Sequence, residues 1–132
     1  MKVPASELKL LKSICQTIFD KKGSNIITMD VRGISTICDY FVIAEGNVEK
    51  HVHALADEIY EKLRDYGLSP IHVEGLPDSS WVVLDYSFLI IHLFTPAMRE
   101  KYELERVWKE ALLIDIPLRI EKVKPRLSSK DK

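Results

Sequence analysis

The residues of this 132-residue chain best suited to chemistry are acidic side chains beside apolar runs. Asp30, Asp39 and Asp85 each fall at the edge or end of a predicted strand, where carboxylates from neighbouring strands can meet. A nucleotide-transferring α/β enzyme would use such a group to hold magnesium. Those sites commonly need two acids that alternate along one strand, and Ser87 stands two residues after Asp85. We therefore expect a protein without catalytic residues, with the enzyme as the alternative.

Metal binding and nucleophilic catalysis find little support in the residue pattern. His53 and Asp57 are four residues apart on one predicted helix face, but no second pair accompanies them. No GxGxxG, GxxxxGKS/T or GxSxG motif is present. His92 lies inside an apolar run, which is typical of a hydrogen-bonded core residue. Cys15 and Cys38 are expected to be buried thiols in a reducing compartment, and we expect no metal and no other cofactor.

Aromatic side chains cluster around a predicted antiparallel hairpin formed by Trp81–Asp85 and Phe88–Thr95. Its two-residue link lacks residues that favour positive φ, which predicts a bulge or a longer loop. Tyrosine and tryptophan beside acidic residues make good interface anchors for a basic partner. For Trp81, an interface anchor and ordinary core filling stay equally open. Tyr86 and Phe88 lie next to the turn, so we expect them at the surface.

Hydrophobic periodicity defines the elements that must position these residues. Helices are predicted at 6–22, 48–66 and 97–112, and strands at Asn25–Val31, Tyr40–Ala44, Ile71–Glu74, Trp81–Asp85 and Phe88–Thr95. The result is an α/β fold: a single domain with a mixed five-stranded sheet and helices packed on it. The strand–helix–strand stretch 40–74 favours a right-handed parallel crossover.

Composition excludes several classes of protein. Nineteen Lys and Arg against twenty Asp and Glu give a net charge of -1, which argues against binding nucleic acid mainly through phosphates. The uninterrupted apolar runs, such as Tyr40–Ala44 and Phe88–Ile91, are far shorter than the about 20 residues of a membrane helix. We expect a cytoplasmic protein whose domain covers residues 1–120. Residues 121–132 form a short basic tail, expected to be mobile, that would make at most a minor rRNA contact.

Six blocks of the chain resemble, in order and spacing, those of the ribosomal silencing factor family, also called RsfS or Iojap. The blocks are Asp39–Ala44, His51–Ile59, Val73–Gly75, Trp81–Tyr86, Ile91–Phe94 and Arg99–Trp108. The resemblance covers roughly residues 6–110. It implies a translational repressor that binds the large ribosomal subunit at its ribosomal protein number fourteen. There it would sterically block joining of the small subunit when nutrients are short.

The same resemblance implies a nucleotidyltransferase-like core without its activity, and a homodimer. It also implies where the partner binds. The candidate partner-binding residues are Trp81, Asp85, Tyr86, Phe88, Glu74 and Asp39. In this hypothesis Asp85 pairs with a lysine or arginine of the partner, and Trp81 and Tyr86 supply buried anchor area. A large-subunit assembly factor that uses the same contact is a second interpretation.

Two further details follow from the resemblance. Arg99, Tyr102 and Glu105 match the last helix of the family, where internal packing and ion pairing are expected of them. The family usually has a Gly-Asp pair after the tyrosine of the hairpin, and this chain has Ser87-Phe88 instead. That difference removes an acidic contact and adds an apolar one.

Overall fold

A computed structural model describes residues 2–107 and 110–119 of the chain. Ten elements follow one another along it: α1 (Ala5–Asp20), β1 (Ser24–Asp30), β2 (Tyr40–Glu45), α2 (Glu49–Arg64), β3 (His72–Glu74), β4 (Trp81–Asp85), β5 (Leu89–Phe94), α3 (Pro96–Tyr102), α4 (Leu104–Val107) and β6 (Leu112–Leu113). This confirms the predicted α/β class and single mixed sheet. The basic tail at 121–132 lies outside the described residues.

The strands form one sheet in the order β3-β4-β5-β2-β1-β6. β2 and β5 are parallel, and every other neighbouring pair is antiparallel. The predicted hairpin is present as β4 and β5. β3 runs in the same direction as β2, as a crossover requires, but β4 and β5 lie between them. The apolar strands β2 and β5 are buried along their whole length, because they occupy the centre of the sheet.

The prediction of five strands and one last helix was wrong. The structure has six strands, and the region predicted as helix 97–112 is divided among α3, α4 and the start of β6. α3 ends where Glu103 adopts a left-handed φ of 43°, with its N–H donating to the Arg99 carbonyl at 2.8 Å. The chain then returns to the sheet edge, where Leu112 and Leu113 pair with β1. A two-residue strand is too short to leave a periodic signal in the sequence.

The two faces of the sheet carry separate apolar cores. On one face, which we call the helical side, α1 and α2 pack through Ile14, Ile18, Leu55 and Ile59 against alternate residues of β2, β4 and β5. On the other face a smaller core contains Met29, Phe41, Ile43, Ile90 and Phe94, with Met98 of α3 packed against it. Helix cover on this second face is therefore partial, and β3 and β4 keep exposed or partly exposed side chains there.

The β4–β5 loop holds three residues rather than two. Ser87 adopts a positive φ of 77°, and the Tyr86 N–H donates to the Leu89 carbonyl at 2.8 Å. The Asp85 carboxylate accepts the N–H of Ser87 at 2.8 Å, which stabilises the loop locally. The expectation of a bulge or longer loop is thus confirmed. None of the helices in the described segments has the length and apolar character needed to cross a bilayer.

Candidate functional site

Three of the predicted partner-binding residues lie together on the sheet face opposite the helical side. Val82 and Leu84 of β4 are buried in the core beneath the helices, so strand alternation turns Trp81 and Asp85 to the other face. Pairing of β3 with β4 places Glu74 opposite Val83 and His72 opposite Asp85. Directly opposed residues share a face. Asp39, just before β2, joins these three, because its charge and that of Asp85 both act on Cys38 of the smaller core. We call the group formed by Asp39, Glu74, Trp81 and Asp85 the acidic sheet face.

Trp81 is the aromatic centre of the acidic sheet face. Its indole N–H donates to Nδ1 of His92 at 3.1 Å. Its ring centroid lies 4.9 Å from that of Phe94 and 4.8 Å from that of Tyr102. Trp81 stays partly exposed and Tyr102 is 43% exposed. Both interpretations of Trp81 therefore hold in part: it packs on the smaller core and also presents ring surface to solvent.

His92 is a core residue, as predicted. Burial lowers its pKa from 6.5 to about 4, so the ring is neutral at pH 7. Because Nδ1 accepts the Trp81 hydrogen bond, the ring proton belongs on Nε2. The imidazole thus fixes the tryptophan orientation without adding positive charge to the acidic sheet face.

The carboxylates of Asp39 and Asp85 flank the buried thiol of Cys38. Burial, followed by the negative charges of these two aspartates, raises the pKa of Cys38 to about 11. Glu74 is exposed on the edge strand β3. Within the described part of the chain, none of these three carboxylates forms an ion pair. Their charge is therefore available to a basic partner surface.

Tyr86 and Phe88 do not belong to the acidic sheet face. Tyr86 is 5% exposed and lies in the core beneath α1 and α2, and Phe88 packs against the same core while partly exposed. The expectation that Tyr86 lies at the surface was wrong. It continues the alternation of Val82 and Leu84, a signal that the sequence already contains. Its hydroxyl has no hydrogen-bond partner among residues 2–107 and 110–119, and burial, then the charge of Tyr60, raises its pKa to about 12.

The carboxylates required by the enzyme alternative do not converge. Asp30 lies on the helical side, where both its oxygens are bound by Arg32 at 2.9 and 2.7 Å. That hydrogen bonding lowers the pKa of Asp30. Asp39 and Asp85 lie on the opposite face. Across residues 2–107 and 110–119, no three His, Cys, Asp or Glu side chains are grouped so that they would hold a metal ion.

Of the residues predicted to lie in the last helix, Arg99 has an internal role and Tyr102 lies at the surface. Arg99 is buried and forms an ion pair with Glu45 at 3.4 Å, which confirms its predicted packing and pairing. Tyr102, in contrast, extends the aromatic surface of Trp81. The sequence interpretation missed this contact, since no spacing rule links a helix to a strand 21 residues earlier. The side chain of Glu105 lies outside the description.

Comparison of the sequence with known proteins identifies relatives of this chain. The family model described as "Ribosomal silencing factor during starvation" matches residues 4–132. The chain is 35% identical over 111 residues to the Bacillus subtilis ribosomal silencing factor RsfS, covering 84% of this chain and 92% of that protein. It is also 36% identical over 73 residues to the mouse protein named mitochondrial assembly of ribosomal large subunit protein 1, covering 53% of this chain and 32% of that one.

A solved structure shows the same fold. A crystal structure of a Bacillus halodurans protein superposes with a TM-score of 0.71 at 30% sequence identity, covering 81% of this chain and 97% of that chain. The sheet order and the helical side described above are thus those of a known architecture. Because the family model spans nearly the whole chain, this protein belongs to the ribosomal silencing factor family, RsfS.

Proposed function

We propose that this protein binds the large ribosomal subunit at its ribosomal protein number fourteen and sterically prevents the small subunit from joining. The observation that carries the proposal is the acidic sheet face. It combines three carboxylates without ion pairs in the described residues with a partly exposed tryptophan held in one orientation. Such a surface suits a basic protein with a pocket for an aromatic anchor.

The mechanism requires no chemical step. A domain of 15.2 kDa bound where an intersubunit contact must form excludes the second subunit by volume alone. Carboxylates on the acidic sheet face accelerate encounter, and Trp81 with Tyr102 supplies the apolar area that slows dissociation. We propose accordingly that the protein is not an enzyme, because Asp30 is separated from the other two aspartates and already neutralised by Arg32.

The test is sedimentation of purified ribosomal subunits with and without the protein, added before joining. The protein is expected to travel with the large subunit and to reduce the peak of joined ribosomes. A pull-down with isolated ribosomal protein number fourteen identifies the contact. If the protein travels with neither subunit and the joined peak is unchanged, the proposal is wrong.

A role in large-subunit assembly is the second candidate, favoured by the name of the mouse relative. The two functions use one contact but differ in when it forms. An assembly factor would bind precursors of the large subunit, and its depletion from cells would cause those precursors to accumulate. A silencing factor would inhibit joining of mature subunits in the purified system.

A further inference from the structure

A basic groove lies on the helical side of the molecule, on the opposite side of the sheet from the acidic sheet face. It runs between α1, α2 and the segment Pro117–Arg119. Four cationic side chains border it: Lys9, Lys12, Lys62 and Arg119. We call this site the basic groove. A net charge of -1 for the whole chain does not reveal this local group of cations.

The cations of the basic groove are not neutralised by the protein itself. In the segments that the structure describes, none of the four forms an ion pair. The one acidic residue that borders the groove, Asp20, accepts a hydrogen bond from the Gln16 amide at 2.8 Å. Lys62 also borders a neighbouring acidic surface that contains Glu58, Glu61 and Asp65. Of these three, Glu58 and Glu61 have cationic partners of their own at 3.8 and 3.3 Å.

The backbone holds the cationic positions in place. Lys9 and Lys12 are three residues apart in α1 and therefore share one helix face. Gln16, one turn further, binds the backbone of Arg119 with two hydrogen bonds: its amide donates to the carbonyl at 3.0 Å and its oxygen accepts the N–H at 2.8 Å. The groove wall formed by Arg119 is thus fixed to α1 rather than free.

An aromatic ring adds a second type of contact. Tyr66, just after α2, borders the groove and is 41% exposed. Lysines around an open groove attract phosphates, and an exposed tyrosine ring stacks on unpaired bases or packs on ribose. The combination therefore favours RNA as the occupant.

We propose that the basic groove binds the phosphate backbone of unpaired ribosomal RNA, as a second contact with the large subunit. This inference rests on the proposed function, since it extends the same attachment to the ribosome. One side of the protein would then bind a ribosomal protein and the opposite side would bind rRNA. The tail, with five further basic residues at 121–132, begins directly after this groove in the chain.

The experiment uses the full chain and a fluorescein-labelled single-stranded RNA of 16 nucleotides, with fluorescence anisotropy as the readout. The variant Lys9→Gln/Lys12→Gln/Lys62→Gln removes three groove charges. The control Lys2→Gln/Lys22→Gln/Lys50→Gln removes three exposed charges elsewhere. Thermal melting of both variants checks that they are folded. Binding of each protein to isolated ribosomal protein number fourteen is measured in parallel.

We expect the groove variant to bind the RNA at least about tenfold more weakly at low salt, while the control binds like the wild type. The slope of log K against log salt should fall by about 2, since each lost phosphate contact on single strands contributes about 0.7. Tyr66→Ala should weaken RNA binding about tenfold with an unchanged slope, because it removes stacking and no charge.

Equal RNA binding by the groove variant and the control would overturn the inference, as would wild-type binding that does not depend on salt. Groove-dependent binding to vesicles of anionic lipid, without binding to the RNA, would overturn it too. Failure of the proposed function is a separate result: the wild type would not bind isolated ribosomal protein number fourteen. Groove-dependent RNA binding would still stand in that case.

Discussion

Trp81 of β4 and His92 of β5 are diagonal neighbours across the β4–β5 hairpin, with the indole N–H donating to the imidazole Nδ1 at 3.1 Å. The hydrogen bond joins the exposed anchor of the acidic sheet face to a buried, neutral histidine. Anything that protonates His92 removes the acceptor and places a charge in the smaller core. Orientation of the anchor and stability of the domain are therefore coupled through this one pair.

The first prediction concerns stability against pH. Burial lowers the folded-state pKa of His92 from 6.5 to about 4, so between these values the unfolded chain binds a proton that the folded protein excludes. Stability is therefore complete above pH 6.5 and falls as the pH drops from 6.5 towards 4, by at most roughly 3 kcal/mol from this group. Urea unfolding at several pH values measures the loss.

The variant His92→Gln serves as the control for this pH dependence. Its side chain does not titrate and its amide oxygen can still accept the indole hydrogen bond. The part of the stability change assigned to His92 should disappear in the variant. If the free energies of unfolding of the wild type and the variant change in parallel with pH, His92 is not the titrating group.

Trp81→Ala should weaken binding to the large subunit by about 1–3 kcal/mol if the ring is an interface anchor. It should also lower the free energy of unfolding by about 2 kcal/mol, because the ring packs partly on the smaller core. Trp81→Phe separates the effects, since it retains most of the packing and loses the N–H. Binding is measured by competition for the subunit, and stability by urea unfolding. If Trp81→Ala is less stable than the wild type but binds the subunit with the same affinity, Trp81 has a role in the core alone.

Asp85→Lys should lower the association rate with ribosomal protein number fourteen by roughly tenfold at low salt and by less at physiological salt. The carboxylate has no cationic partner among the described residues, so within the fold the change removes only its hydrogen bond from the Ser87 N–H, and the domain should stay folded. Asp115→Lys, which makes the same charge change at an exposed position outside the acidic sheet face, is the matched control. Stopped-flow association is the measurement, and equal rates for the two variants would exclude Asp85 from the interface.

Tyr86→Phe should leave binding unchanged and should stabilise the domain by up to about 1 kcal/mol. The hydroxyl that it removes is buried and has no hydrogen-bond partner in the described part of the chain, so the cost of its desolvation is removed with it. Tyr40→Phe is the contrasting variant, because the Tyr40 hydroxyl bonds to Glu7 and its removal should destabilise the domain. If Tyr86→Phe proves less stable than the wild type, the hydroxyl has a partner in solution.

The strands that could be predicted from sequence are those with a strong local signal. The apolar runs of β2 and β5 predicted these two strands, and the short link after Asp85 predicted the hairpin. The periodicity of α1 and α2 predicted two helices that pack on the sheet. These features depend on residues close together in the chain, where pattern and structure are directly related.

The features that escaped prediction depend on contacts between distant residues or on backbone geometry. β6 forms because Leu112 and Leu113 reach the free edge of β1, and α3 ends at the left-handed Glu103. The candidate site was predicted in part: Trp81, Asp85 and Glu74 share a face through strand register. Tyr86 was misplaced because its proximity to a turn was given more weight than its alternation with Leu84.

The bond between Gln16 and Arg119 has a consequence for synthesis of the protein. It joins residues 103 positions apart, and the neighbouring Ile114 N–H binds the Thr28 carbonyl across a similar span. Contacts of such high sequence separation form late in folding. A nascent chain therefore cannot complete its sheet edge or the wall beside α1 until residues 114 to 119 have left the exit tunnel. A growing polypeptide in which these residues are still inside the tunnel carries an unfinished groove past the ribosome that makes it.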